Sequence, residues 1–286
     1  MSRTAVNDVA LRLRRIVSNI EVERKFNPGP NFPPFYSIRG AAKVQGLHPL
    51  ANNNPVRPTC VVFRQPVELI RDTYYDTPDG QLGKLGLWVR QRRVCILPAD
   101  HQGRKVTREQ ALPPVADQSW ETTRWNAKLR LAGHFDNSQF AEIDGKKGVS
   151  DEVLRITEMK TRLEDLRVVS DLLTSRQSWE LKWPADGAPP SPKTTIVVDD
   201  VTEAGTDQDT PDELAFRHTI GEVETFEEFV TEDKDSTEHD ALRRQTAAQR
   251  MEDLEKLMSA CPDLFSTTPK PIGKLSAYDT WRASRG

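Results

Sequence analysis

The 286-residue chain lacks most of the features that would place a protein at a glance. Its three cysteines, Cys60, Cys95 and Cys261, are far apart, with no CxxC or Cys/His ligand spacing. That excludes a disulfide framework and a structural zinc site, and it points to a reducing compartment. No apolar run approaches the roughly 18 residues of a membrane span, so no membrane partner is expected. Neither sign of charge dominates: 40 basic and 43 acidic residues leave a net charge of −3. No face or tail forms a sustained basic stripe, which argues against a nucleic-acid partner. A Gly-rich phosphate loop is absent. The five histidines, His101 and His134 among them, stand in polar, loop-like contexts, and nothing resembles a Ser/His or Cys/His nucleophile pair.

What the chain does have is a series of short β-like runs. They fall at Ile20 to Phe26, Leu69 to Tyr75, Gly86 to Cys95, Trp125 to Ala132, Val168 to Trp183, Thr195 to Val201 and Thr219 to Phe229. Turn-rich stretches separate them, so an antiparallel sheet or barrel is expected, not a parallel βαβ sheet. Two segments read as helices, Ser150 to Leu163 and Thr237 to Cys261. The second carries Leu242, Met251, Leu254, Leu257 and Met258 at helical spacing, a stripe expected to pack on the core. Before the first run, Arg3, Arg12, Arg14 and Arg15 lie on an amphipathic stretch with the single acid Asp8. It reads as a surface helix over residues 1–19 of a cytoplasmic protein, with mitochondrial import as the alternative. Residues 27–66, 96–123 and 202–218 read as loop insertions in one domain spanning 1–286, and the protein is expected to be a monomer.

The charges alternate within these runs. Residues two apart on a strand share a face, so Glu21, Glu23 and Lys25 point one way, and Glu222 and Glu224 do the same. Trp88, Arg90 and Arg92 share a face, as do Thr174, Arg176 and Ser178. Like charges side by side on one face repel, and any single pair is most simply a solvated surface. Two acidic pairs and a basic pair in one sheet suggest instead that ligands hold them there. If Glu21, Glu23, Asp199, Glu222 and Glu224 converge with Lys25, Arg90, Arg92, Lys128, Arg176 and Lys274, a dry cluster would be costly. A Mg²⁺ or Mn²⁺ ion on the carboxylates and a polyphosphate on the bases would satisfy both halves.

Glu21-Val22-Glu23-Arg24-Lys25 resembles the ExExK signature of the CYTH, or triphosphate tunnel metalloenzyme, superfamily. Within it, Arg71-Asp72-Thr73-Tyr74-Tyr75-Asp76-Thr77, Leu87-Trp88-Val89-Arg90-Gln91-Arg92, Arg176-Gln177-Ser178-Trp179, Gly221-Glu222-Val223-Glu224 and Lys274-Leu275 are similar, in the same order, to thiamine triphosphatases. The resemblance implies an α+β fold, an eight-stranded antiparallel tunnel with flanking helices. It also implies Mg²⁺-dependent hydrolysis of thiamine triphosphate to the diphosphate and phosphate. In that reading Glu21, Glu23 and Lys25 are catalytic. Glu21, Glu23, Asp199, Glu222 and Glu224 hold the metal. Lys25, Arg90, Arg92, Lys128, Arg176 and Lys274 hold the triphosphate beside Glu222, and Trp88 stacks on the thiamine ring. Other triphosphates, inorganic tripolyphosphate or a nucleoside triphosphate, and a non-catalytic polyphosphate-binding module stand as alternatives. So does Lys182, in Trp179-Glu180-Leu181-Lys182, for the role of Lys128. Glu142, in Phe140-Ala141-Glu142-Ile143, is a further tunnel candidate, and the metal-ligand register at Asp199-Asp200 is open by one residue.

Overall fold

A strand that is charged on one face and apolar on the other needs two surroundings, and a closed barrel supplies both. The computed structural model describes residues 16–29, 32–45, 47, 59–97, 120–134, 137–183, 192–205, 214–231 and 236–285. In chain order its elements are β1 (Ile16–Pro28), α1 (Pro33–Tyr36), β2 (Ala41–Gln45), β3 (Thr59–Arg64), β4 (Glu68–Asp76), α2 (Gln81–Leu85), β5 (Leu87–Ile96), β6 (Thr122–His134), β7 (Asn137–Asp144), α3 (Lys146–Ile156), β8 (Arg167–Lys182), β9 (Lys193–Glu203), β10 (Arg217–Thr231), α4 (Ser236–Ala260), β11 (Phe265–Ser266) and α5 (Lys274–Ala283). Eight strands pair in the order β8-β4-β5-β6-β7-β1-β10-β9, and β9 pairs back onto β8 to close an antiparallel barrel. The hairpin of β2 and β3 extends the sheet outward by pairing with the end of β8, from Arg64 opposite Trp179 to Val61 opposite Lys182.

The apolar core lies outside this barrel. Ile20, Val22 and Phe26 of β1, Val223 of β10 and Ile196 and Val198 of β9 face outward into one cluster with Trp179. Helix α4 covers it with Met251, Leu254, Leu257 and Met258, and α1 adds Phe35, whose carbonyl accepts a 3.0 Å hydrogen bond from the Trp179 indole. The Arg24 guanidinium fastens α4 from the same outer face, 2.6 Å from Glu255. A second cluster sits on β5 and β6, where Leu87, Val89 and Ala127 meet Leu82 of α2 and Val149 and Val153 of α3. Helix α5 closes one end of the barrel by packing Tyr278 against Phe216, Tyr74, Leu172 and Val201. Gly221 shows how tight the outer packing is, since a Cβ there would meet the Phe26 ring at 2.3 Å.

Several expectations change. Residues 16–19 belong to β1, because Ile16–Asn19 pair with Thr231–Glu228 of β10, and residues 1–15 lie outside the described residues. The stretch 27–66, expected as loop, contains α1, β2 and β3, which cover Trp179 and the end of β8. Most of the 96–123 stretch lies outside the described residues, as do residues 206–213 of the 202–218 stretch. Helix α3 starts earlier than expected because Val149 and Val153 are its buried pair. It stops at Ile156, since Glu158 and Met159 adopt φ values of 53° and 64°, in the left-handed region that ends a helix. On α4, Leu242 is 43% exposed and leaves the packed stripe. Strand β7 and helix α5 are not among the expected elements, although the sequence singles out Glu142 in the first and Lys274 in the second. No helix among the described residues is long and apolar enough to cross a membrane.

Candidate functional site

Strand parity carries the charged side chains into the barrel. Registers set the neighbours: Lys25 lies opposite Glu222 and Glu23 opposite Glu224 across β1 and β10, Arg176 opposite Asp199 across β8 and β9, and Asp72 opposite Arg92 across β4 and β5. Trp88 lies opposite Lys128 on β6, and Lys128 opposite Glu142 on β7. All of these but Asp72 and Asp199 line a cavity of about 790 Å³, to which Lys274 is added from the first turn of α5.

Inside it, acids and bases form two groups. In the first, Lys128 Nζ lies 2.6 Å from Glu21 and 3.1 Å from Glu23, while Lys25 pairs with Glu23 and lies 3.1 Å from Glu222. In the second, Arg92 grips Asp72 through two hydrogen bonds of 2.7 Å, and Arg176 grips Asp199 at 2.7 and 2.8 Å. Lys274 bridges those two aspartates at 3.7 and 3.5 Å. Arg90 lies 3.7 Å from both Asp72 and Glu142, with its Nε donating to Asn126 at 3.0 Å. Two-pronged guanidinium–carboxylate contacts are the strong kind, and burial strengthens them further.

Electrostatics separates the carboxylates. Burial pushes Glu224 up to about 8; the nearby Glu21 and Glu222 charges add to this, against the opposing pull of Arg176 and Lys128. Burial also raises Glu21, with Glu142 and Glu23 adding to it despite Lys128. Glu23 goes the other way: burial would raise it, but the Lys128 and Lys25 ammonium groups hold it well below the usual range. Asp72 is likewise depressed, burial being outweighed by Arg92 and Arg90, and Asp199 is held at about 2 against burial by Arg176 and Lys274. Lys25 and Lys128 remain firmly charged, since the facing carboxylates overcome the burial that would lower them.

One oxygen from each of Glu21, Glu23 and Glu224 lies within 4.8 Å of the other two, so these three glutamates could hold a metal ion. The fit is chemical as well as geometric. Oxygens bound cis to a hard octahedral ion at about 2.1 Å stand about 3 Å apart, a modest closing of this trio. Oε2 of Glu21 has the Lys128 ammonium 2.6 Å away but accepts no well-directed hydrogen bond. Glu23 and Glu224 also stand directly opposite each other, so ionising both calls for a cation between them.

Of the five carboxylates expected at the metal, the structure groups these three. It places Asp199 on Arg176 and Lys274, and Glu222 on Lys25, with Asp200 turned to the other face and bonded to Thr219. All six expected bases reach the cavity lining or the carboxylates that line it. Lys128 is inside, whereas Lys182 lies at the outer end of β8, beside Glu180 and the Phe63 ring. Trp88 is in the cavity wall, edge-on to Phe140 and with the Arg130 guanidinium 5.6 Å over its ring. Asp72 and Asn126 went unnoticed. The signal for Asp72 was its two-residue spacing from Tyr74, hidden because a single acid between Arg71 and Thr73 looks like a surface residue.

No protein-family model and no curated protein matches this chain. Among solved structures, it is similar to a Pyrococcus horikoshii protein (13% identity, 92% of this chain and 99% of that one, TM-score 0.41). It is similar to a chain in the Mediator head module of Schizosaccharomyces pombe (10% identity, 85% and 96%, TM-score 0.37). It is also similar to a candidate adenylyl cyclase from Hippeastrum described as having a dominant triphosphatase activity (12% identity, 93% and 96%, TM-score 0.33). At this distance the likeness carries no argument about chemistry, which has to come from the site itself.

Proposed function

We propose that the tunnel binds a triphosphate together with a divalent metal ion and hydrolyses its terminal phosphoanhydride bond, with thiamine triphosphate as the substrate. The observation that carries this reading is the grouping of Glu21, Glu23 and Glu224 within 4.8 Å, each beside a base that faces the same cavity. Glu21 and Glu23 hold Lys128, Glu23 also holds Lys25, and Glu224 lies 3.8 Å from Arg176. Without a ligand these bases are committed to carboxylates. Once the glutamates are neutralised, Lys25 and Lys128 are free to turn to phosphate oxygens, and Arg176, still holding Asp199, presents its Nη1 edge to them. Arg90, Arg92 and Lys274 line the same cavity and align the rest of the chain of phosphates. Glu21, Glu23 and Glu224 would hold the Mg²⁺, which would supply charge neutralisation at the transferring phosphoryl group and orientation of a water. Hydrolysis adds one water across the terminal anhydride: its oxygen joins the terminal phosphorus, and the bridging oxygen leaves with the diphosphate. The water's proton passes to the released phosphate or to solvent, and the burial of the site keeps the side-chain charge interactions strong.

Trp88 supports the thiamine part of the reading. Its ring already carries a cation, Arg130, and a thiazolium ring has the same attraction to an aromatic face. The same contact favours inorganic tripolyphosphate if Arg130 keeps its place. Phosphate release from thiamine triphosphate, tripolyphosphate and ATP, with and without Mg²⁺, tests the proposal. Metal-dependent release from thiamine triphosphate that Trp88→Ala loses, while tripolyphosphate turnover persists, is the expected result. Equal loss of both substrates would reassign Trp88 to the architecture of the barrel.

A further inference from the structure

The main cavity adjoins a second one of about 380 Å³, and Arg176, Lys193, Thr195 and Glu224 line both. Lys193 opens β9 on the face of Thr195 and Asp199, at the exposed end of the strand. Each of the six bases assigned to the triphosphate has a carboxylate within 3.7 Å. Lys193 is different: among the described residues no carboxylate comes within ion-pair distance of it. Two hydroxyls line the same cavity, Thr195 and the buried Ser178, and neither side chain has a hydrogen-bond partner among the described residues. An ammonium and two hydroxyls without partners among the described residues, with one edge of a guanidinium, make a donor set for a tetrahedral oxyanion.

We propose that this second cavity is a further phosphate subsite, centred on Lys193 with Ser178 and Thr195, that takes the phosphate group beyond the three held in the main cavity. The inference rests on reading the main cavity as a triphosphate site. Arg176 links the two compartments, so a chain of four phosphates runs past it without leaving cationic surroundings. Glu68 and Glu224 are the carboxylates on this wall. They repel a free anion, which ties occupancy to neutralisation of Glu224 and makes Glu68 a brake on the subsite.

The test compares inorganic tripolyphosphate with tetrapolyphosphate in the presence of Mg²⁺, by kcat/KM and by equilibrium binding in a calorimeter. The wild-type protein favours the longer chain by about tenfold, the usual scale of one charge-assisted contact. Lys193→Ala brings the ratio close to one, Lys193→Arg preserves it and Glu68→Gln raises it. A tetrapolyphosphate-to-tripolyphosphate ratio that Lys193→Ala does not move overturns the subsite. If neither compound is hydrolysed but the binding ratio still follows Lys193, the subsite stands and the hydrolase reading of the main cavity is what fails.

Discussion

The two faces of the same eight strands do opposite jobs. The outer face of β1 puts Ile20, Val22 and Phe26 into an apolar cluster under α4, and its inner face puts Glu21, Glu23 and Lys25 into a charged cavity. The usual small barrel fills its interior with apolar side chains; here the fold is held from outside. Stability and chemistry are therefore divided by strand parity, one residue apart. The outer face can be damaged without touching the site, and the inner face can be altered with little loss of apolar packing.

Substitutions can break that division or sharpen it. The largest effect is expected from Lys128→Ala or Arg176→Ala, each removing a half-buried donor in the cavity wall. Metal-dependent phosphate release should fall by about 10²–10³-fold, and a fall of less than about threefold would remove the residue from the site. On the other face, Phe26→Ala should cost about 3–5 kcal/mol of unfolding free energy in denaturant titrations. The protein that remains folded should keep its kcat/KM, and a parallel loss of activity would mean that the faces are not independent.

A smaller effect concerns pH. Glu224 has a folded pKa raised to about 8, so the folded state prefers its proton. Without metal, stability contributed by this group should decline as pH rises from the unfolded carboxyl value toward 8. Thermal melts should show a shallower decline in Glu224→Gln over that window, and identical slopes would contradict the assigned burial. Asp199, held at about 2, acts in the opposite sense and loses its contribution only in strong acid. The smallest effect is expected from Lys182→Ala. That side chain is 57% exposed and pairs with Glu180 outside the cavity. Activity should stay within twofold, which separates it from Lys128.

This parity was legible in the sequence because it is local. The spacing of Glu21, Glu23 and Lys25, or of Trp88, Arg90 and Arg92, depends only on a strand being a strand, and most of the strand runs carried a matching alternation. Which charges meet across the barrel was not legible, since that depends on register. Asp199 and Glu224 both face inward, yet one is gripped by Arg176 and the other joins Glu21 and Glu23. Strand β7 was missed because Asn137 to Asp144 carries few branched residues, although Ser138, Phe140 and Glu142 alternate inward. Helix α5 was missed because its cover of the barrel end depends on Tyr278 reaching Phe216, a contact between distant parts of the chain.

A divalent ion and the triphosphate are proposed to share one site, the ion releasing bases that the phosphates then take. The direct measurement is Mn²⁺ binding by electron paramagnetic resonance, in wild type and Glu224→Gln, followed by calorimetric titration with tripolyphosphate. Wild type should bind Mn²⁺, lose it on the substitution, and bind tripolyphosphate at least tenfold more tightly with the metal than without. Mn²⁺ binding that survives Glu224→Gln, or triphosphate affinity indifferent to the metal, would contradict it.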